Sequence, residues 1–329
     1  MSPVFGADTA VGAPALALRI VSSLLQVLLI TAGGPLLVGT MAKVRARAEG
    51  RAGAPIWQPL LDLAKLARKE RIHAEHAGAV LAVAPLVLVG SAAVAVAISP
   101  LVSAFPVLGG GADAFVVVYL LLMGSVALAL AGLDAGTAFG GMGASRAVTV
   151  GALAEPALLV AILALSIQAR TSNLPGIVAA TLAHPAWLAD PERLLALVAL
   201  VVVVIAETGR IPVDNPSTHL ELTMIHEAMV LEYAGGDLAL VTLGEAMRLG
   251  LLFGLLANLF FPWGIATGAG LGQVALATLA LGGKVGLLAV VIALIEVSTA
   301  KLRLFRVPEL LAGGFVLAVL AVMTGLVTR

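Results

Sequence analysis

The sequence predicts an all-α integral membrane protein of about eight transmembrane helices, with an interfacial amphipathic helix in its first cytoplasmic loop. Three observations carry that expectation. Of the 329 residues, 60% are hydrophobic and 12% charged, with a mean hydropathy of +1.09; a soluble domain carries roughly 25% charged residues. The apolar residues fall into eight long runs, and a span needs about 20. The cations gather on alternate loops, as a multi-pass protein requires.

The expected spans lie near 16–39, 77–99, 114–132, 147–167, 193–207, 238–262, 273–296 and 309–327, the fifth being short. Each must be helical, because an unpaired backbone group in hydrocarbon costs several kcal/mol. Frequent Ala and Gly suit close helix packing. The first loop carries Lys43, Arg45, Arg47, Arg51, Lys65, Arg68, Lys69 and Arg71. With Arg146, Arg210, Lys301, Arg303 and Arg306, one side holds thirteen cations. Arg19, Arg170, Arg193 and Arg329 make four on the other. The positive-inside rule then places the odd-numbered loops in the cytoplasm and both termini outside.

Within the first loop, residues 56–69 read as an amphipathic helix with Ile56, Leu60, Leu63 and Ala67 on one face. It suits either the lipid interface or a docked peripheral subunit. The 168–192 loop contains an apolar stretch that dips partly into the membrane. The first ten residues lack a basic region and the first apolar run is long enough to span, so no cleaved signal peptide is expected. Without repeats or low-complexity tracts, residues 1–329 form a single polytopic domain.

Composition also bounds the chemistry. Zero net charge gives no basic field for nucleic acid. Zero cysteine leaves no thiolate for an iron–sulfur cluster. Four ionisable residues fall inside spans: Glu155, Glu245, Arg248 and Lys284. Each costs about 2.5–3.5 kcal/mol at the bilayer centre, so each must face the protein interior, water or a partner. Glu245 and Arg248, one helical turn apart, can neutralise each other, as a structural pair or as part of an ion path. Lys284 has no opposite charge one turn away, so its partner sits on another helix or chain. Glu155 precedes Pro156, whose missing N–H frees a nearby carbonyl.

The greatest concentration of polar chemistry runs from Glu207 to Asp237, with six of the 19 acidic residues and two of the five histidines. Pro212 and Pro216 argue against a regular helix over 209–216, and a helix is expected from about Ser217 to Gly235. On it Glu221 and Glu232 share one face, while His219, His226 and Tyr233 share another. Neighbouring like charges spread their pKa values apart and can pass protons, although a solvated charged helix would look the same. Metal and nucleotide motifs fail. Val230 stands where H-E-x-x-H needs its second histidine, and the H-A-E-H of 73–76 offers no ligand set. Around Lys284, Thr278 and Val285 break the phosphate-loop pattern.

The run E-T-G-R-I-P-V-D-N-P-S-T-H-L-E-L (207–222), with H-E-A-M-V-L-E-Y (226–233), resembles the membrane anchor subunit of energy-converting NiFe hydrogenases. These are of the formate hydrogenlyase and hydrogenase-4 type, a family related to complex I subunit 1. G-A-S-R (143–146), A-E-P (154–156), L-L-A-N-L-F-F-P-W-G (255–264) and A-K-L-R-L-F-R-V-P-E (300–309) extend the likeness to the last span. The resemblance implies eight transmembrane helices plus an interfacial helix, in a bacterial or archaeal cytoplasmic membrane. It implies partners: hydrogenase large and small subunits, a ferredoxin-like iron–sulfur subunit and antiporter-like membrane subunits. Those partners carry the iron–sulfur clusters and the NiFe centre, and this chain binds none. In complex I the acidic loop borders the quinone cavity and begins a proton path, at positions matching Glu207, Arg210, Asp214 and Glu221. Ser217 and His219 stand where complex I has further acids, and Gly209 where it has Asn, as in the hydrogenase branch. The implied role is an ion-translocation-coupling subunit for protons or sodium. Its candidate path runs from Glu207, Asp214, Glu221 and Glu232 through Glu155, Glu245, Arg248 and Lys284. Arg210, His219, His226, Arg146, Lys301 and Arg303 shape the loops or touch partners. The alternatives are a quinone-binding subunit of complex I and a stand-alone transporter.

Overall fold

The computed structural model describes residues 13–72, 77–214, 224–268 and 270–327. His73 and His76 (in 73–76) and His219 and Glu221 (in 215–223) lie outside the described residues. The described chain is almost wholly helical and contains no strand, only two isolated bridges between loops. In order the helices are α1 (Ala13–Ala48), α2 (Gln58–Ala67), α3 (Ala79–Ile98), α4 (Ala114–Asp134), α5 (Ala138–Ala169) and α6 (Leu174–Ala183). Then follow α7 (Pro191–Glu207), α8 (His226–Val230), α9 (Gly235–Phe260), α10 (Leu271–Ser298) and α11 (Val307–Val327).

Among the described residues seven helices, α1, α3, α4, α5, α9, α10 and α11, are long and apolar enough to cross a membrane. The fifth expected span corresponds to α7. Its 17 residues reach about 25 Å at 1.5 Å per residue, near the shortest length that crosses hydrocarbon. Two helices outrun their apolar runs. α1 continues past residue 39 through Lys43, Arg45 and Arg47, and α5 begins at Ala138, so Arg146 lies in a helix. Polar ends add no cost to a helix once it leaves the hydrocarbon. Pro156 does not interrupt α5.

Local chemistry fixes the helix ends. Asp113 caps α4 by accepting from the Phe115 amide at 2.9 Å, and Thr137 caps α5 by accepting from Gly140 at 3.1 Å. Asn173 does the same for α6 through Gly176 at 3.2 Å. α7 starts with Pro191, whose missing N–H is no loss in a first turn. It ends at Gly209, which has φ +57°. The Gly209 amide donates to Ala206 and the Arg210 amide to Ile205, the closure of a Schellman motif.

α9 is the axis. Every residue from Ala246 to Phe260 is buried, so this helix is enclosed on all sides. It packs against α1, α3, α7 and α10. Small residues permit the approach: Gly34 of α1 lies against the Ala246 carbonyl, and a Cβ at Gly250 would come within 3.2 Å of Ile30. A second apolar cluster joins α3, α4, α5 and the α8 region through Leu81, Leu88, Leu128, Met229 and Tyr233.

The first loop forms its expected amphipathic helix. α2 leans on α1 and α9. Gln58, Pro59, Leu60, Leu63 and Leu66 are its partly covered residues, while Ile56, Trp57, Leu61 and Ala67 remain exposed. Leu66 is covered where Ala67 was expected, and Ile56 lies in the turn before the helix begins. In the 168–192 loop, α6 buries Leu174, Pro175, Ile177, Val178 and Thr181 against α5 and α9.

One expectation is overturned. The helix expected from about Ser217 to Gly235 is interrupted wherever that stretch is described: Met224 and Ile225 are not helical, and α8 spans only His226–Val230. The Ile225 and His226 amides turn to the Asp214 carboxylate, each at 3.3 Å, instead of to carbonyls one turn earlier. At the other end the Tyr233 amide bonds Val230 at 3.0 Å and its hydroxyl donates to the Leu81 carbonyl at 2.9 Å. Glu232 consequently sits in a turn, and His226 and Tyr233 do not share a helical face.

Candidate functional site

At the end of the bundle that carries α2, the ends of α1, α7 and α9 and the flanks of α4, α5 and α8 surround a cavity of about 380 Å³. Glu207, the last residue of α7, faces Arg248 at the middle of α9. Arg248 Nη2 lies 3.0 Å from Glu207 Oε2 and donates to Ser125 Oγ of α4 at 2.7 Å. Its Nη1 lies 3.5 Å from Glu245 Oε1. The turn-spaced pair expected within α9 thus exists, and α7 adds a second carboxylate. Both members of the Glu207–Arg248 bridge are 6% exposed at their side chains, a setting where loss of one partner is costly. Glu155, half-buried on α5, lies within electrostatic reach of Glu207 and Arg248.

The opposite wall is cationic. Glu296, 2% exposed near the end of α10, lies 3.3 Å from Arg45 Nε of α1 and 3.9 Å from Arg210 Nη1. Arg45 and Arg210 line the cavity. Burial holds the Arg210 guanidinium below its ordinary pKa; Glu296 opposes that shift, Arg45 adds to it, and Glu245 acts from across the cavity. Gly209 makes this possible, since its left-handed turn sends the chain back under the end of α7.

A third set ties the loops. Lys301 Nζ lies 3.5 Å from Asp214 Oδ1, and the Leu302 amide donates to the Pro212 carbonyl at 2.9 Å. Asp214 also receives the two amides that open α8. Arg146 donates to the Met224 carbonyl at 2.9 Å and so holds the entry to α8. His226 and Glu227 line the cavity; Glu232 and Arg303 do not, and Arg303 is exposed. Burial, with Asp237 and Asp134 adding, keeps the Tyr233 phenol above its usual pKa.

Lys284 stands apart. Its ammonium donates to Asn258 Oδ1 at 2.6 Å, Phe261 O at 3.0 Å and Trp263 O at 3.1 Å. Asn258 in turn donates to the Pro100 and Leu101 carbonyls at 3.0 and 2.7 Å. Its partner is on another helix, as expected, but that partner is neutral. Ten residues of helix, about 15 Å, separate Asn258 from Arg248. Lys284 closes the carbonyl end of α9, where a cation is favoured.

The arrangement juxtaposes excess negative charge around Arg248 with excess positive charge around Glu296. A proton gained or lost on one side is felt on the other, because low-dielectric surroundings strengthen such interactions. Sequence reasoning missed Glu296, Arg45 and Ser125. Glu296 was legible as the one acid between Glu245 and Glu309, but it ends an apolar run and so looks like a boundary. Among the described residues no group of three or more His, Asp or Glu is placed to hold a metal ion.

The model of a family described as NADH dehydrogenase matches residues 20–327. The chain belongs to that family, the family of complex I subunit 1. Within it, the chain is 31% identical over 302 residues to hydrogenase-4 component C of Escherichia coli strain K12, covering 92% of this chain and 94% of that one. It is also 31% identical over 301 residues to formate hydrogenlyase subunit 4 of the same organism, covering 91% and 96%. Its fold resembles a chain of the membrane-bound sulfane sulfur reductase, an archaeal respiratory membrane complex, with a TM-score of 0.77. At 22% identity over 93% of this chain and 98% of that one, this last likeness shows the fold.

Proposed function

We propose that this chain is the membrane anchor and ion-translocation-coupling subunit of a multisubunit complex of the NiFe hydrogenase or formate hydrogenlyase type. The observation that carries this reading is the Glu207–Arg248–Glu245 cluster, opening into a cavity at the end of the bundle where the basic loops gather. That end faces the cytoplasm, with both termini outside, in a bacterial or archaeal cytoplasmic membrane. Large and small hydrogenase subunits and a ferredoxin-like subunit dock there, and antiporter-like subunits lie beside the bundle. This chain has no cysteine, so the iron–sulfur clusters and the NiFe centre reside in those partners.

Redox chemistry in the docked subunits changes the charge above the cavity. Glu207, Asp214, Glu221 and Glu232 adjust their protonation in response. Arg248, shared between Glu207 and Glu245, then redistributes toward the carboxylate that keeps its charge, with Glu155 next to it on α5. Movement of Arg248 is movement of α9, which carries the change inward. Lys284, bonded to neutral groups at the far end, caps α9 and is outside this relay.

The test uses the assembled complex in proteoliposomes. Glu207→Gln and Glu221→Gln should each lower the ions moved per redox turnover, or slow turnover itself. Unchanged pumping and unchanged turnover in both would remove the acidic stretch from the path. Co-purification in mild detergent should bring nickel and iron–sulfur proteins with this chain; a chain purified without partners would support a stand-alone transporter instead. A quinone-binding subunit is the alternative reading. Eight of the cavity's 25 described lining residues are ionisable and most of the others are apolar, a lining that a ring with a polar head also finds in its sites. Quinone retained through purification would favour that alternative.

A further inference from the structure

Glu296 lies outside the acidic stretch, and the relay above does not use it. It nevertheless joins three elements: Arg45 from the last turn of α1, Arg210 from the turn after α7, and its own α10. The contacts are close in charge and loose in geometry. Among the described residues neither Glu296 oxygen finds a hydrogen-bond donor, and Arg210 Nε finds no acceptor. Among the described residues, at 3.3 and 3.9 Å the two guanidinium groups meet a single carboxylate and are not locked to it by directed bonds. A buried ion held this way keeps its position only while its counter-charge is present. Across the cavity, carboxylates outnumber cations: Glu207 and Glu245 share Arg248. Glu245 already acts electrostatically on Arg210.

We propose that Glu296 is a positioning residue that holds Arg210 and Arg45 on their wall of the cavity, away from the carboxylates opposite, and thereby preserves the pairing of Arg248. This inference rests on the coupling reading above. Without Glu296, the freed guanidinium of Arg210 turns toward Glu245 and Glu207 and competes with Arg248 for them. Arg248 then loses its exclusive hold on the two acids, and a change at the cavity no longer reaches α9.

The experiment compares Glu296→Gln, Glu296→Asp, Arg210→Gln and the double variant Glu296→Gln/Arg210→Gln in the assembled complex, with Glu207→Gln in parallel. Redox turnover and ions moved per turnover are read in proteoliposomes, and co-purification of partner subunits reports assembly. Glu296→Gln should cut ions per turnover by about tenfold, within the range of site-to-site coupling factors, while turnover persists. Glu296→Asp should retain most coupling. The double variant removes the competing guanidinium of Arg210 along with its counter-charge and should recover coupling above Glu296→Gln alone, a non-additive result. Unchanged coupling in Glu296→Gln would overturn the proposal, as would losses that simply multiply in the double variant. Should Glu296→Gln fail to assemble, the double variant decides: recovered assembly and coupling support the proposal, and continued failure overturns it. If Glu207→Gln uncouples and Glu296→Gln does not, this inference alone falls. If neither moves the ratio, the coupling reading falls with it.

Discussion

The middle and the C-terminal end of α9 handle buried charge in opposite ways. At its midpoint a guanidinium lies between two carboxylates at 3.0 and 3.5 Å. Near its finish an ammonium bonds an amide oxygen and two backbone carbonyls at 2.6 to 3.1 Å. A charge among titratable neighbours changes its surroundings whenever one of them takes a proton. A charge among dipoles does not, because amides and carbonyls never titrate in this range. Position within an apolar run, which made Glu245, Arg248 and Lys284 look alike, does not tell a charge among titratable neighbours from one among neutral dipoles; the partner does.

The sharpest way to break this contrast is Arg248→Met. It strands Glu207 and Glu245 in a buried setting and should destabilise the chain by about 3–5 kcal/mol. Thermal denaturation of the purified complex would register this as a large drop in midpoint, with coupling lost. A midpoint close to the parent's would mean that the acids are solvated. Lys284→Met removes three bonds to neutral acceptors and leaves oxygens behind, at about 1–3 kcal/mol. Its midpoint should fall while ions per turnover stay at the parent level; loss of coupling would place Lys284 in the relay after all. The smallest effect is expected from Gly209→Ala, where nothing crowds a new Cβ but a left-handed backbone costs about 1–2 kcal/mol. A variant as stable as the parent would show that this turn bears no conformational demand.

Much of the fold was legible because hydrocarbon leaves few options. Each of the eight apolar runs coincides with a helix, and the mismatches come where helices outlast the apolar stretch, at the end of α1 and the start of α5. The 207–237 region was harder. Its residue types pointed to Glu207 and Asp214, which the structure buries and pairs with Arg248 and Lys301. Helical periodicity then misled, because Asp214 draws two amides out of register before α8. Glu296 and Arg45 escaped for a different reason. Each ends its helix, one looking like a boundary and the other like a loop cation, and their pairing across α10 and α1 is a tertiary fact with no local signature. His219 and Glu221 fall in 215–223, outside the described residues.

The enclosure of α9 has a mechanical meaning. A helix with one face in lipid can tilt or slide against a fluid that yields. From Ala246 to Phe260 this one touches protein on every side, and protein interiors resist compression as organic crystals do. Any push at Arg248 must therefore be shared at once by α1, α3, α7 and α10, so the bundle responds as a piston in a fitted sleeve.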